Sequence, residues 1–247
     1  YEWFMTLKDD FKSEVESNKI KKEDTYLIVN GEAIDGDSKE RHFKLISYLP
    51  DEISRHGEEI LKPILDEVGY SLYTQGTPAH VGKSANLEES MVRSIGDKYK
   101  VIRDERRNTN LWNWFYGDIG GVLYDIKHEC SVGKLPWTFE NIINRDRYRL
   151  EQYHRDNSVR MPNIILRSHV HKFYPKQEKI YIDLNKTKHP QYLITGCWKG
   201  VNDWESAKFI EPPEWGGYII LSNGDKCEIT QKQYCLEKRK IWTLTNG

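Results

Sequence analysis

The 247 residues can bury a full core, and with 38% hydrophobic and 30% charged residues they describe a globular protein rather than a disordered or fibrous one. A formal net charge of −1 lacks the basic footprint of a constitutive nucleic-acid binder. No apolar run approaches the roughly 18 residues needed to cross a bilayer.

Four dispersed cysteines, Cys130, Cys197, Cys227 and Cys235, form no Cys-x-x-Cys pair, which argues against a zinc knuckle or a dithiol redox motif. Without a secretory leader they are expected as free thiols in a reducing compartment, the cytoplasm. The basic runs Lys19/Lys21/Lys22, Arg103/Arg106/Arg107 and Lys238/Arg239/Lys240 are interleaved with acids and read as solvated surface.

The chain opens with an amphipathic helix, since Trp3, Phe4, Leu7, Phe11 and Val15 recur at helical spacing. The apolar run Tyr26-Leu27-Ile28-Val29 then predicts a buried strand ending at Asn30-Gly31. A helix using Ile53, Ile60, Leu61, Ile64, Leu65 and Val68 follows, then a strand over 71–75, then a helix through Leu87, Met91, Val92 and Ile95. This alternation predicts an α/β fold with a largely parallel core sheet.

Beyond Val101, aromatic segments 111–116 and 119–127 flank Gly117-Asp118 and Gly120-Gly121, a hairpin signal. A helix over 139–153 and a strand over 163–167 come next. Strands are then predicted over 179–183, 191–196, 218–221, 227–230 and 233–244, with a turn at Asn223-Gly224-Asp225. An α/β first half and a β-rich second half fit two facing sheets flanked by helices. Residues 1–247 read as a single domain, in which Pro212-Pro213 marks a loop and 213–247 form a β-rich extension of the second sheet.

Polar residues cluster just after predicted strands. Gly31-Glu32-Ala33-Ile34-Asp35-Gly36 follows the first and Gly76-Thr77-Pro78-Ala79-His80 the second; His128 closes the hairpin, and Ser168-His169-Val170-His171 follows Ile164-Ile165-Leu166. In open α/β sheets, loops at the carboxyl ends of strands converge on a crevice. Carboxylates and neutral imidazoles there form a ligand set for Zn, Mn, Fe or Ni ions. Plainer readings stay open for each residue: turn glycines, solvated loop acids, a loop His80, and a surface pair His128-Glu129.

The order Gly-Glu-x-x-Asp, Gly-x-x-x-His, isolated His, Ser-His-x-His resembles the ordered motifs of calcineurin-like metallophosphoesterases, most nearly their divergent phage and prophage branch. The resemblance covers about residues 25–200 and implies a four-layer α/β/β/α sandwich of two facing mixed sheets. It also implies a two-metal hydrolase of phosphate esters, with phosphodiesters such as nucleotides or nucleic acid favoured. Two divalent ions (Mn, Fe, Zn, Ni or Mg) are implied, Glu32 bridging them, His128 and His169 on one and His171 on the other. By the same resemblance His80 protonates the leaving oxygen and Asp35 orients His80, while Asn30 and Thr77 are candidate metal or substrate contacts.

Three departures accompany the likeness. The family's first motif, Asp-x-His on an opening strand, is absent, so such a strand is expected to precede Tyr1. Glu32 replaces the usual bridging Asp, and Thr77 stands where an Asn carbonyl is usual. These motivate two rivals: a catalytically impaired protein of this fold that binds a nucleotide or partner, and a structural single-metal site. His42, His56, His154 and His189 fit no motif. The run Trp112-Asn113-Trp114-Phe115-Tyr116 suggests a base-stacking platform, but is better read as a strand whose aromatics pack against the second sheet.

Overall fold

The computed structural model describes residues 2–35, 47, 49–130, 139–186, 189–198 and 213–234. Gly36, His42, Pro212, Cys235, Lys238 to Lys240 and the predicted strand beyond Tyr234 lie outside them. The helices are α1 (Glu2–Ser17), α2 (Pro50–Leu65), the single turn α3 (Pro78–Val81), α4 (Asn86–Gly96) and α5 (Phe139–Asp156). The strands are β1 (Tyr26–Asn30), β2 (Tyr70–Thr74), β3 (Leu111–Trp112), β4 (Phe115–Ile119), β5 (Val122–Ile126), β6 (Ile164–Arg167), β7 (Lys179–Asp183), β8 (Gln191–Ile194), β9 (Trp215–Ser222) and β10 (Lys226–Tyr234).

The architecture is α/β with mixed sheets. Strands β1, β2 and β3 form a parallel sheet, in register from Tyr26↔Tyr70 to Asn30↔Thr74. A second sheet has the order β4-β5-β6-β8, in which β5, β6 and β8 run parallel and β4 antiparallel. The antiparallel trio β7-β10-β9 forms a third.

Strand alternation distributes β2 between two cores. Leu72 joins Phe115, Tyr124, Leu166, Ile182 and Ile229 in a cluster that unites all three sheets. Its neighbour Tyr73 faces the other way, onto Leu61, Leu65, Met91 and Ile95 of α2 and α4. A third cluster sets Ile143 of α5 against Ile165, Tyr192 and Ile194 of the second sheet.

Three expected features differ. Segment 111–116 is not one strand: β3 ends at Trp112, and after Asn113-Trp114 the chain enters the second sheet as β4. The hairpin turn is Gly120-Gly121 alone, both at positive φ as a tight β4–β5 connection requires, and Gly117-Asp118 lie within β4. The strands predicted over 227–230 and from 233 are one continuous β10, because Gln231 and Lys232 keep pairing with Tyr218 and Gly217 of β9. No helix among the described residues is long and apolar enough to cross a membrane, and Cys130 and Cys227 are free thiols.

Candidate metal centre

The carboxyl ends of β1, β2, β5 and β6 deliver Glu32, Thr77 and His80, His128, and His169 respectively. The two sheets are tied together there. The Asn30 carbonyl lies 2.6 Å from His128 Nδ1, the Asn30 amide donates to the Lys127 carbonyl at 3.3 Å, and the Asn30 side-chain oxygen accepts from Thr74 Oγ1 at 2.6 Å. Asn30 thus serves the junction between sheets. Gly31 permits this approach, since a Cβ at its positive φ would collide with the His128 ring.

A carbonyl can only accept, so His128 Nδ1 carries a proton, and the neutral ring presents a lone pair at Nε2. That Nε2 lies 3.1 Å from Glu32 Oε1, another electron-pair donor, and His169 Nδ1 lies 3.7 Å from the same oxygen. Both nitrogens are buried and neither is aligned as a hydrogen bond. Three lone-pair donors converge on one point, an arrangement that needs a shared proton or a cation between them.

The electrostatics express the same tension. Burial resists ionisation of Glu32, but His128 and His169, with charge at His80, hold its carboxyl far below the ordinary carboxylate range. Burial pulls His128 downward, yet Glu32 outweighs it and raises the imidazole above its usual value. Among the described residues, Glu32, His128 and His169 are the group whose ligand atoms lie within 4.8 Å of one another, so the donor set fits a divalent ion.

Glu32, His169 and His171 all adopt positive φ, a conformation costing non-glycine residues on the order of 1 kcal/mol or more. Such strain persists where surrounding packing imposes it, and it gathers at functional sites. No family model matches the chain, and neither does any curated protein or solved structure.

Beside the group, His80 Nδ1 donates to Asp35 Oδ1 at 3.0 Å, which directs Nε2 inward to 4.0 Å from Glu32 Oε1. The Thr77 hydroxyl donates to Glu32 Oε1 at 2.5 Å. His171 is not a member of the three-residue group, although its backbone carbonyl accepts from the Glu214 N–H at 2.9 Å.

Sequence reasoning missed Glu88. Its carboxylate, almost wholly buried, accepts from the Ala33 N–H at 2.9 Å and the Gly76 N–H at 2.8 Å, joining the loop that carries Glu32 to the loop that carries Thr77 and His80. Burial pushes its carboxyl up to about 7 against the pull of those two donors. The signal was present: Glu88 stands three, four and seven residues before Met91, Val92 and Ile95, on the apolar stripe of α4.

Proposed function

We propose that this protein is a metal-dependent hydrolase of phosphate esters, with phosphodiesters favoured. The observation carrying this reading is the convergence of Glu32, His128 and His169 on one point, two of them through buried, unaligned nitrogens, with the Asp35–His80 pair alongside. The four-layer α/β/β/α sandwich belongs to the same proposal. Its support is the succession of apolar clusters: helices against the first sheet, sheet against sheet, and α5 against the second sheet.

Glu32, His128 and His169 would hold a divalent ion, which when bound would supply a Lewis acid that offsets phosphoryl charge and acidifies water. Thr77 fixes the Glu32 carboxylate by its hydroxyl. Asp35 sets the tautomer and orientation of His80, and its charge favours a proton on that ring. Water oxygen would bond to phosphorus as the bond to the ester oxygen breaks; the departing oxygen would take the proton held at His80 Nε2, and the proton released by the attacking water would pass to solvent, from which His80 is reprotonated. In the binuclear form of this proposal, Glu32 and His171 would hold a second ion. A single ion, which Glu32, His128 and His169 would hold, is the one-ion alternative.

Elemental analysis of protein equilibrated with Mn²⁺ separates these forms: about two ions per chain for the binuclear site, one for the alternative, none if the proposal is wrong. Hydrolysis of a bis-aryl phosphodiester with Mn²⁺ is expected to fall about 10²-fold or more in His80→Ala, as removal of a general acid predicts. Unchanged turnover removes His80 from the mechanism.

A further inference from the structure

A cavity of about 840 Å³ opens beside the candidate metal centre, with His169 in its wall. Its size falls in the range of small-molecule sites. The wall also holds Trp114 and Tyr153, whose rings meet edge to face at 6.1 Å. The aromatic run that contains Trp114 is therefore divided by the fold. Trp112 and Phe115 pack in the inter-sheet core, 5.1 Å apart, whereas Trp114 stays 41% exposed and Tyr153 45% exposed.

Scattered surface aromatics need no explanation, and Tyr148 and Tyr181 are of that kind. Trp114 differs because its indole N–H donates to buried Asp125 at 3.0 Å, which fixes the ring while leaving it open to the cavity. Lys127 and Arg149 line the same cavity and form no ion pair among the described residues. The acids there are Glu129 and Asp146, and Asp146 is taken up by the Tyr192 hydroxyl at 2.6 Å and by Arg167 at 3.6 Å. A held aromatic surface, available cations and the metal centre thus share one space.

We infer that this cavity is a base-binding subsite, and that the substrate class is nucleotide-type phosphodiesters. The nucleobase stacks on Trp114 and Tyr153, Lys127 and Arg149 meet the phosphate charge, and the scissile phosphorus lies toward His169. This rests on the phosphoesterase reading and names the substrate of that site.

Two esters sharing a leaving group test it: thymidine 5′-(p-nitrophenyl phosphate) and methyl p-nitrophenyl phosphate, each with Mn²⁺. Expected is a kcat/KM at least tenfold higher for the nucleoside ester, an advantage lost in Trp114→Ala and Tyr153→Ala, kept in Trp114→Tyr, with the methyl ester little changed. A fold disturbed by loss of the Asp125 contact would slow both esters alike in Trp114→Ala, and Tyr153→Ala, which lacks that contact, then decides. Equal rates for the two esters, insensitive to both alanine variants, overturn the subsite and leave the hydrolase intact. If neither ester is cleaved, dialysis of thymidine monophosphate against protein in EDTA decides: binding that weakens about tenfold in Trp114→Ala sustains the subsite without the reaction, and no binding overturns it.

Discussion

Two carboxylates, Asp125 within β5 and Glu32 just past β1, meet opposite treatment. Asp125 is fully buried and faces a permanent cation, with Arg167 2.7 Å away and a second contact from the Trp114 indole. Glu32, its side chain 14% exposed, faces a hydroxyl and imidazoles. A guanidinium does not give up its proton at working pH, so Asp125 is neutralised from within the protein. Imidazoles do give theirs up, and then Glu32 is surrounded by lone pairs. The first arrangement is finished by the fold; the second is finished by something that arrives.

Arg167→Met is the hardest blow to this contrast. It strands Asp125 without its cation, and urea unfolding is expected to show a loss of about 3–5 kcal/mol. A loss under about 1 kcal/mol would mean that Asp125 is neutralised otherwise. Glu32 should behave in reverse. Mn²⁺ at about 100 times its dissociation constant should stabilise chelator-stripped protein by about 2.7 kcal/mol, an increment absent from Glu32→Ala. If wild type and Glu32→Ala respond to the ion alike, the two carboxylates are not different in kind.

The smallest effect sharpens the picture of Glu88. In Glu88→Gln the amide can accept from only one of the Ala33 and Gly76 N–H groups, at a cost of about 1–3 kcal/mol. Its pH signature is separate. Because folding raises the carboxyl from 4.5 to about 7, its contribution to stability is full below pH 4.5 and is lost as pH rises through 7. Denaturation midpoints between pH 5 and 8 should therefore decline more steeply in wild type than in Glu88→Gln, and parallel curves would show that Glu88 is ionised throughout.

The legible parts of the sequence were those where one pattern had one cause. Strand β7 alternates exposed and buried residues and was readable from end to end. Glu32, His80, His128 and His169 were readable because each follows a strand in a fold whose strand ends converge. The passage of the chain between sheets at Asn113-Trp114 was hidden, since β3 and β4 are both aromatic and hydropathy does not record which sheet a strand joins. Continuous β10 was broken by two polar residues whose backbone pairing no side-chain pattern reveals. The left-handed backbone of His169 and His171 at the turn was also hidden, because histidine does not announce a positive φ as glycine does.

Glu32 springs from the first sheet, while His128 and His169 spring from the second. An ion gripped by all three would act as a clasp between the two halves of the molecule, closing long chain loops much as a cross-link does. Occupancy would then govern how tightly the sheets are sewn together, so resistance to proteolysis of the whole chain would rise and fall with the supply of a single ion.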